Sequence, residues 1–308
     1  MTCSGQQKIV VICGPTGIGK TKLSLFLAES FNGAIVSADS MQIYRYMDIG
    51  TAKPDAGEMR GIDHYMINIV DPDAPYDAAV FYREGRQAIA DIYKQSQIPF
   101  VVGGTGFYIK ALLHGLFEAK PVDSVIVERL RAEADAGGIQ AIYDRLSDKD
   151  PEAAARIHVN DAYRVIRALA VFEMSGKPMS EYQQSHGFED SPFEVLKICL
   201  FSDRQTLYDR INRRVDQMAD QGLLEEVKTL RQMGFSETLR PMQAIGYRHM
   251  NDFISGRTDW DETIERMKRD TRRFAKRQLT WFRKDPEMIW KSPAAKDEIA
   301  KMVKRFLS

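Results

Sequence analysis

Ile9-Val10-Val11-Ile12-Cys13-Gly14-Pro15-Thr16-Gly17-Ile18-Gly19-Lys20-Thr21 is the stretch from which the rest of the chain is best read. Its first part is a short apolar run of the kind buried on both faces of a parallel sheet. Residues 14–21 have the spacing of a P-loop, the phosphate-binding turn between a strand and a helix. Its glycines let successive backbone N–H groups turn inward around a phosphate. Lys20 adds a point charge, and Thr21 offers a hydroxyl to a magnesium ion at a helix N-terminus. The pattern predicts that Gly14, Pro15, Thr16, Gly17, Ile18, Gly19, Lys20 and Thr21 bind a di- or triphosphate, with Thr21 on the metal side.

Outward from this loop, Leu23, Leu27 and Phe31 recur at helical spacing, and Asn32-Gly33 ends that helix. Ala34-Ile35-Val36-Ser37 reads as a second strand that delivers Ala38-Asp39-Ser40-Met41-Gln42 to its carboxyl end, where open α/β sheets place ligands. A turn-rich loop to Pro54, an extended stretch centred on Tyr65-Met66-Ile67 and a helix over 77–95 come next. Residues 98–102 form another apolar strand, and Gly103-Gly104-Thr105-Gly106 leads into a helix starting near Phe107. The alternation predicts an α/β fold, a P-loop-type core with a mostly parallel sheet flanked by helices.

From 122 to 186 only helical patterns occur, and strand character returns at 195–201. We therefore expect a discontinuous core domain, 1–120 with 191–308, interrupted by an all-helical insertion at 121–190. Helices are expected over 207–220, 223–233, 247–255 and 262–284. On the last, Ile264, Met267, Phe274 and Trp281 fall near one face, opposite Arg269, Arg272, Arg273, Lys276, Arg283 and Lys284.

Formal net charge is zero over 308 residues, which argues against a generic polyanion binder but leaves basic faces open. Cys3, Cys13 and Cys199 stand far apart, suggesting neither a disulfide framework nor a zinc site, and the five histidines, His64 and His249 among them, have no ligand spacing. The first strand starts close to Met1, leaving no room for a signal peptide, and no apolar run reaches membrane-spanning length. The expectation is a cytoplasmic, soluble protein.

A P-loop NTPase places a second acid on a neighbouring apolar strand, and a GTPase adds a guanine-reading motif. Neither is present in clear form. The nearest acid, Asp39, lies in Asp39-Ser40-Met41-Gln42-Ile43-Tyr44, followed by Met47-Asp48-Ile49-Gly50-Thr51-Ala52-Lys53-Pro54. With the P-loop, residues 103–108 and Pro241-Met242-Gln243-Ala244-Ile245-Gly246-Tyr247, these segments make the chain resemble the tRNA dimethylallyltransferase (tRNA isopentenyltransferase) family over nearly its whole length. The resemblance implies transfer of a dimethylallyl group from dimethylallyl diphosphate to the exocyclic amine of the adenosine just 3′ of the anticodon. Mg2+ and the tRNA anticodon stem-loop are implied as cofactor and partner, and the protein as a monomer.

The chemistry agrees with the motifs. An allylic diphosphate presents nearly the same oxygens as the terminal phosphates of ATP, so a P-loop can cradle it, and the negative charge growing on the departing diphosphate calls for cationic donors. Resemblance puts one at Arg214, for which a solvated helix arginine is the alternative. It also makes Asp39 the acceptor of the amine proton, the alternative being an Asp that only caps a turn or binds magnesium through water. Thr105 is implied at the same edge. Resemblance extends tRNA contact to Asp39, Ser40, Met41, Gln42 and Thr105, and to Tyr163, Arg164, Val165, Ile166 and Arg167 in the insertion. There Arg164 and Arg167 lie one helical turn apart, as paired phosphate contacts or as an ordinary solvated face.

Two departures stand out. Where the resemblance leads one to expect a tRNA-contacting arginine, the chain has Val127, with Arg129 close by, and where it leads one to expect an acidic residue it has Ala170. Competing enzymes are a P-loop nucleoside or nucleotide kinase binding ATP as donor and an isopentenyltransferase acting on free adenine nucleotides. A nucleotide-gated RNA-binding protein is the non-catalytic alternative. The insertion and basic helix speak against the small acceptor, and Asp39 beside the loop speaks against the switch.

Overall fold

The computed structural model describes residues 6–116, 123–186 and 192–308. Cys3 lies outside them, as do the expected domain boundaries at 120/121 and 190/191. The chain divides into two compact units, Met1–Leu113 with Ser191–Ser308, and His114–Asp190.

In the first unit, β1 (Gln7–Cys13), β2 (Gly33–Ser37), β3 (His64–Tyr65), β4 (Ile98–Gly103), β5 (Phe193–Leu200) and β6 (Ile289–Lys291) form one sheet ordered β3-β2-β4-β1-β5-β6. Every pairing is parallel. Helices α1 (Lys20–Ser30), α2 (Ala56–Met59), α3 (Ala78–Lys94) and α4 (Gly106–His114) alternate with the first strands. The alternation of side chains along β1 splits the core. Ile9, Val11 and Cys13 join α3 and α4 residues such as Phe81, Ile89 and Leu112, whereas Val10 and Ile12 join Leu23 and Leu27 of α1. Residues 9–13 are wholly buried, and each such Val or Ile stabilises the fold by about 1.5–3 kcal/mol. The central strand thus fixes the loop at its end.

The second unit is helical among its described residues: α5 (Ser124–Gly137), α6 (Ile139–Lys149), α7 (Pro151–Arg156), α8 (Ala162–Ser175) and α9 (Met179–His186). Asp123, Asp150 and Asp161 accept backbone N–H bonds at the starts of α5, α7 and α8. Leu130, Ile142, Leu146, Val165, Ile166 and Leu169 form its core.

Back in the first unit come α10 (Arg204–Asp220), α11 (Leu223–Gln232), α12 (Tyr247–Ile254), α13 (Trp260–Phe282) and α14 (Lys296–Leu307). Three features differ from the sequence expectation. The extended stretch at 65–67 ends at Tyr65, because Met66 and Asn68 take left-handed backbone angles (φ 64° and 55°) that end pairing. On α13 the buried residues are Thr263, Met267, Ala275, Gln278 and Phe282, while Phe274 and Trp281 are exposed, so the buried stripe is rotated from the one the large apolar side chains suggested. β6 and α14, with Ile299 and Val303 fully buried, were not foreseen.

Candidate active site

The site is built at the carboxyl ends of β1, β2 and β4, where strand register brings three loops together. Cys13 lies opposite Gly103 on one side and Cys199 on the other. Past the end of β2, the Ala38 N–H donates to Val102 O at 2.8 Å and the Thr105 N–H donates to Ala38 O at 3.2 Å. A Cβ on Gly103 would sit 2.1 Å from Ala38 O, so only glycine permits this approach. Thr105 then closes the seam, its Oγ1 accepting from the Ser40 N–H at 3.0 Å and donating to Ser40 Oγ at 3.3 Å. Residues far apart in sequence, Asp39 and Thr105, are thereby held beside the P-loop.

Gly14 has φ +143°, and a Cβ there would approach Leu200 O to 2.8 Å, so the loop turns where no side chain fits. Ile18 is fully buried and anchors the loop from behind. Arg210 donates to its carbonyl at 3.3 Å. Lys20 Nζ donates to Gly14 O and Pro15 O at 2.9 Å each, and Thr21 stands exposed at the start of α1. The Thr16 N–H donates to Gln278 Oε1 at 2.9 Å, so α13 packs on the loop.

Three charges meet here. Burial draws the Lys20 ammonium down to about 8, the Asp39 carboxylate opposes this, and the Arg214 guanidinium pushes it further. Arg214 is itself lowered by burial and supported by Asp39. Arg214 is thus partly buried and close enough to Lys20 and Asp39 for their charges to act on one another, unlike a solvated surface arginine. Asp39 Oδ1 accepts from the Met41 N–H at 2.9 Å, so the turn role is real. Among the described residues no hydrogen bond reaches its Oδ2. Among those residues, too, no group of three His, Cys, Asp or Glu forms a metal cage. The hard oxygens of Thr21 and Asp39 fit Mg2+ as an ion carried chiefly by phosphate oxygens and water.

Glu226 ties two sequence motifs together. Its carboxylate accepts from the N–H groups of Asp48 (3.0 Å), Ile49 (2.7 Å) and Gly50 (3.2 Å) and from Tyr247 Oη (2.7 Å). A Cβ on Gly50 would lie 2.5 Å from the buried Tyr247 ring. Lys53 Nζ donates to Tyr44 O (2.7 Å), Asp48 Oδ1 (2.6 Å) and Asn68 Oδ1 (2.6 Å), fixing the same loop. Glu226 thus joins the Asp48-to-Pro54 and Pro241-to-Tyr247 motifs, and Gln42 ties the first of them to the segment carrying Asp39.

Known proteins are similar to this chain in sequence and fold. The family model described as IPP transferase matches residues 42–285, and one described as isopentenyl transferase matches 7–70. A tRNA dimethylallyltransferase of Desulfosudis oleivorans is 49% identical over 306 residues, spanning 99% of this chain and 98% of that one. The chain belongs to the tRNA dimethylallyltransferase family. Among solved structures, the tRNA isopentenylpyrophosphate transferase of Bacillus halodurans superposes with a TM-score of 0.74 at 41% identity, covering 98% of this chain and 97% of that one. A eukaryotic dimethylallyltransferase described as acting on tRNA gives 0.81 at 30% identity, covering 97% of this chain and 77% of that one.

Within this family frame, several residues taken from sequence as RNA contacts have other occupations. Gln42 accepts from Ser37 Oγ (2.9 Å) and donates to Thr51 O and Ala52 O, so its amide is used internally, and Met41 packs partly into the core. Val165 and Ile166 are buried in the helical unit, because α8 turns them inward. They orient Tyr163, which is 60% exposed, and Arg164, which donates to Asp161 Oδ2 at 2.8 Å. Arg167 is half-buried. Ala170 is wholly buried, and Val127 packs against the same core. Arg129 is paired with Glu133 and Glu173, which Arg145 also holds.

Sequence reasoning missed Glu226 and Gln278. Only Gln278 carried a signal, a polar residue spaced with Met267, Ala275 and Phe282 on the buried side of α13.

Proposed function

We propose that the chain transfers a dimethylallyl group from dimethylallyl diphosphate to the exocyclic amine of the adenosine 3′-adjacent to the anticodon in tRNA, acting as a cytoplasmic monomer with Mg2+. The observation that carries this is the placement of Asp39, with Oδ2 available, beside a P-loop and close to the charges of Lys20 and Arg214. Loop N–H groups, Lys20 and Arg214 take up negative charge as the allylic C–O bond breaks and diphosphate departs. The adenine amine forms the new C–N bond and gives its proton to Asp39 Oδ2, while Thr105 and Ser40 shape the edge that receives the base. Mg2+ would be held by Thr21 and the diphosphate oxygens and would add to the charge neutralisation.

Because the amine lies in an RNA loop, the base is unstacked before it enters. The exposed Tyr163 and Arg164 of α8 and the basic surface of α13 suit that RNA. No helix among the described residues is long and apolar enough to cross a membrane. Incubation with labelled dimethylallyl diphosphate and unmodified tRNA, beside arms with AMP and with ATP, tests the assignment. Label is expected in tRNA alone, and label in AMP or phosphate transfer from ATP would overturn it.

A further inference from the structure

Gln278 lies on α13, far in sequence from every motif of the site, yet it is 7% exposed and both ends of its side-chain amide are hydrogen-bonded. Oε1 accepts from the Thr16 N–H at 2.9 Å, and Nε2 donates to Gly104 O at 2.9 Å. The amide orientation is set by its partners, since a flip would put donor against donor and acceptor against acceptor. Both partners are backbone groups, one on the diphosphate loop and one on the turn carrying Thr105. Room for the link exists because residue 104 is glycine, where a Cβ would lie 2.2 Å from Nε2. Gly104 has no left-handed φ, so this close approach, and not backbone conformation, accounts for the glycine.

We propose that Gln278 is a positioning residue for prenyl transfer, an inference that rests on the function proposed above. It sets the spacing between the loop that holds the allylic diphosphate and the turn that holds the acceptor. From Gly104 the connection continues through Thr105 Oγ1 to Ser40, next to Asp39. The Thr16 N–H is turned to Gln278 and the Ile18 N–H to Pro15 O at 3.4 Å, so neither is directed at a phosphate. The carbon under attack is fixed to one side of this link and the attacking amine to the other. Cutting it leaves each substrate bound but lets their reacting atoms drift, and a misplacement near 1 Å costs about 100-fold in rate.

Gln278→Met keeps length and burial and removes both hydrogen bonds. Gln278→Glu keeps the acceptor for Thr16 but sets a carboxylate against Gly104 O. Single-turnover transfer at saturating donor and tRNA is expected to fall about 10- to 100-fold in both, with equilibrium affinities for dimethylallyl diphosphate and tRNA within about 3-fold of wild type. Gly104→Ala, which pushes the amide aside from the other end, should give the same division between rate and affinity. Combined with Gln278→Met it should be no slower than the slower single variant, because both cut one link. If Gln278→Met does not fold, Gly104→Ala decides by the same division. A loss confined to donor affinity, with wild-type turnover at saturation, would reduce Gln278 to part of the donor cradle and overturn the proposal, as would rates within about 2-fold of wild type. A wild-type chain that prenylates nothing overturns the functional assignment itself and this inference with it.

Discussion

Lys20 is the residue whose protonation the site has altered most usefully. Its pKa near 8, set first by burial, means that the cation is present below that pH and lost above it. Capture of the donor by free enzyme, read as kcat/KM for dimethylallyl diphosphate, should fall as pH rises through about 8. In kcat the same limb should lie at higher pH, because bound diphosphate favours the ammonium. Lys20→Arg, charged throughout, should remove the limb near 8, and its persistence in that variant would assign it to another group.

Asp39→Asn should lower turnover by about 100- to 10,000-fold, the usual worth of a positioned base, with donor affinity nearly unchanged. Loss of magnesium-dependent donor binding with wild-type single-turnover transfer would instead make Asp39 a metal-side residue. Arg214→Ala should cost on the order of 100-fold in turnover and leave tRNA affinity alone, and full turnover at saturating donor would show that it does not meet the leaving group.

Among the elements, the loop after β2 depends on a helix far away in sequence. Glu226→Ala removes the acceptor of three backbone N–H groups and of the Tyr247 hydroxyl. It should destabilise the protein by about 2 kcal/mol or more, seen as a lower thermal midpoint, and an unchanged midpoint would mean the loop holds itself. This clamp also marks how far the sequence could be read. The P-loop was legible because its glycines, lysine and threonine are contiguous, and β1, β2 and β4 because an apolar run betrays a buried parallel strand.

Glu226 gave no signal, since what it binds is backbone, and backbone N–H groups look alike in any sequence. β6 was missed because three residues carry no period, and it exists only by pairing with β5. The stripe of α13 was misjudged because Phe274 and Trp281 were weighed by apolarity, whereas packing selected Ala275 and Gln278. In the helical unit the one-turn spacing of Arg164 and Arg167 could be read from sequence, but the pairing of Arg164 with Asp161 and the inward turn of Val165 and Ile166 required the packed helices.

For the whole molecule, zero net charge places the burden of RNA binding on local surfaces. On α13, Arg269 and Arg273 contact Asp270, which Arg248 also holds at 2.6 Å, and Arg272 donates to Asn212 at 2.6 Å, so the basic surface is partly committed to the fold. Reversing Arg269, Arg273 and Lys276 should weaken tRNA binding and reduce the log–log salt slope by roughly 0.7 to 0.9 for each phosphate no longer engaged. An unchanged affinity and slope would mark these residues as a solvated face.

The sheet has a consequence for synthesis. β1 emerges first, yet one of its two neighbours is β5, with Gln7 opposite Phe193 and Cys13 opposite Cys199. A ribosome adding about 5 to 20 residues per second delivers that neighbour some 10 to 40 s later, after the whole insertion. During that interval the strand preceding the 14–21 loop has an unpaired apolar edge, the kind of surface that recruits other chains. The insertion is completed while its host is still open, so growing chains halted within it should be the forms most dependent on chaperones.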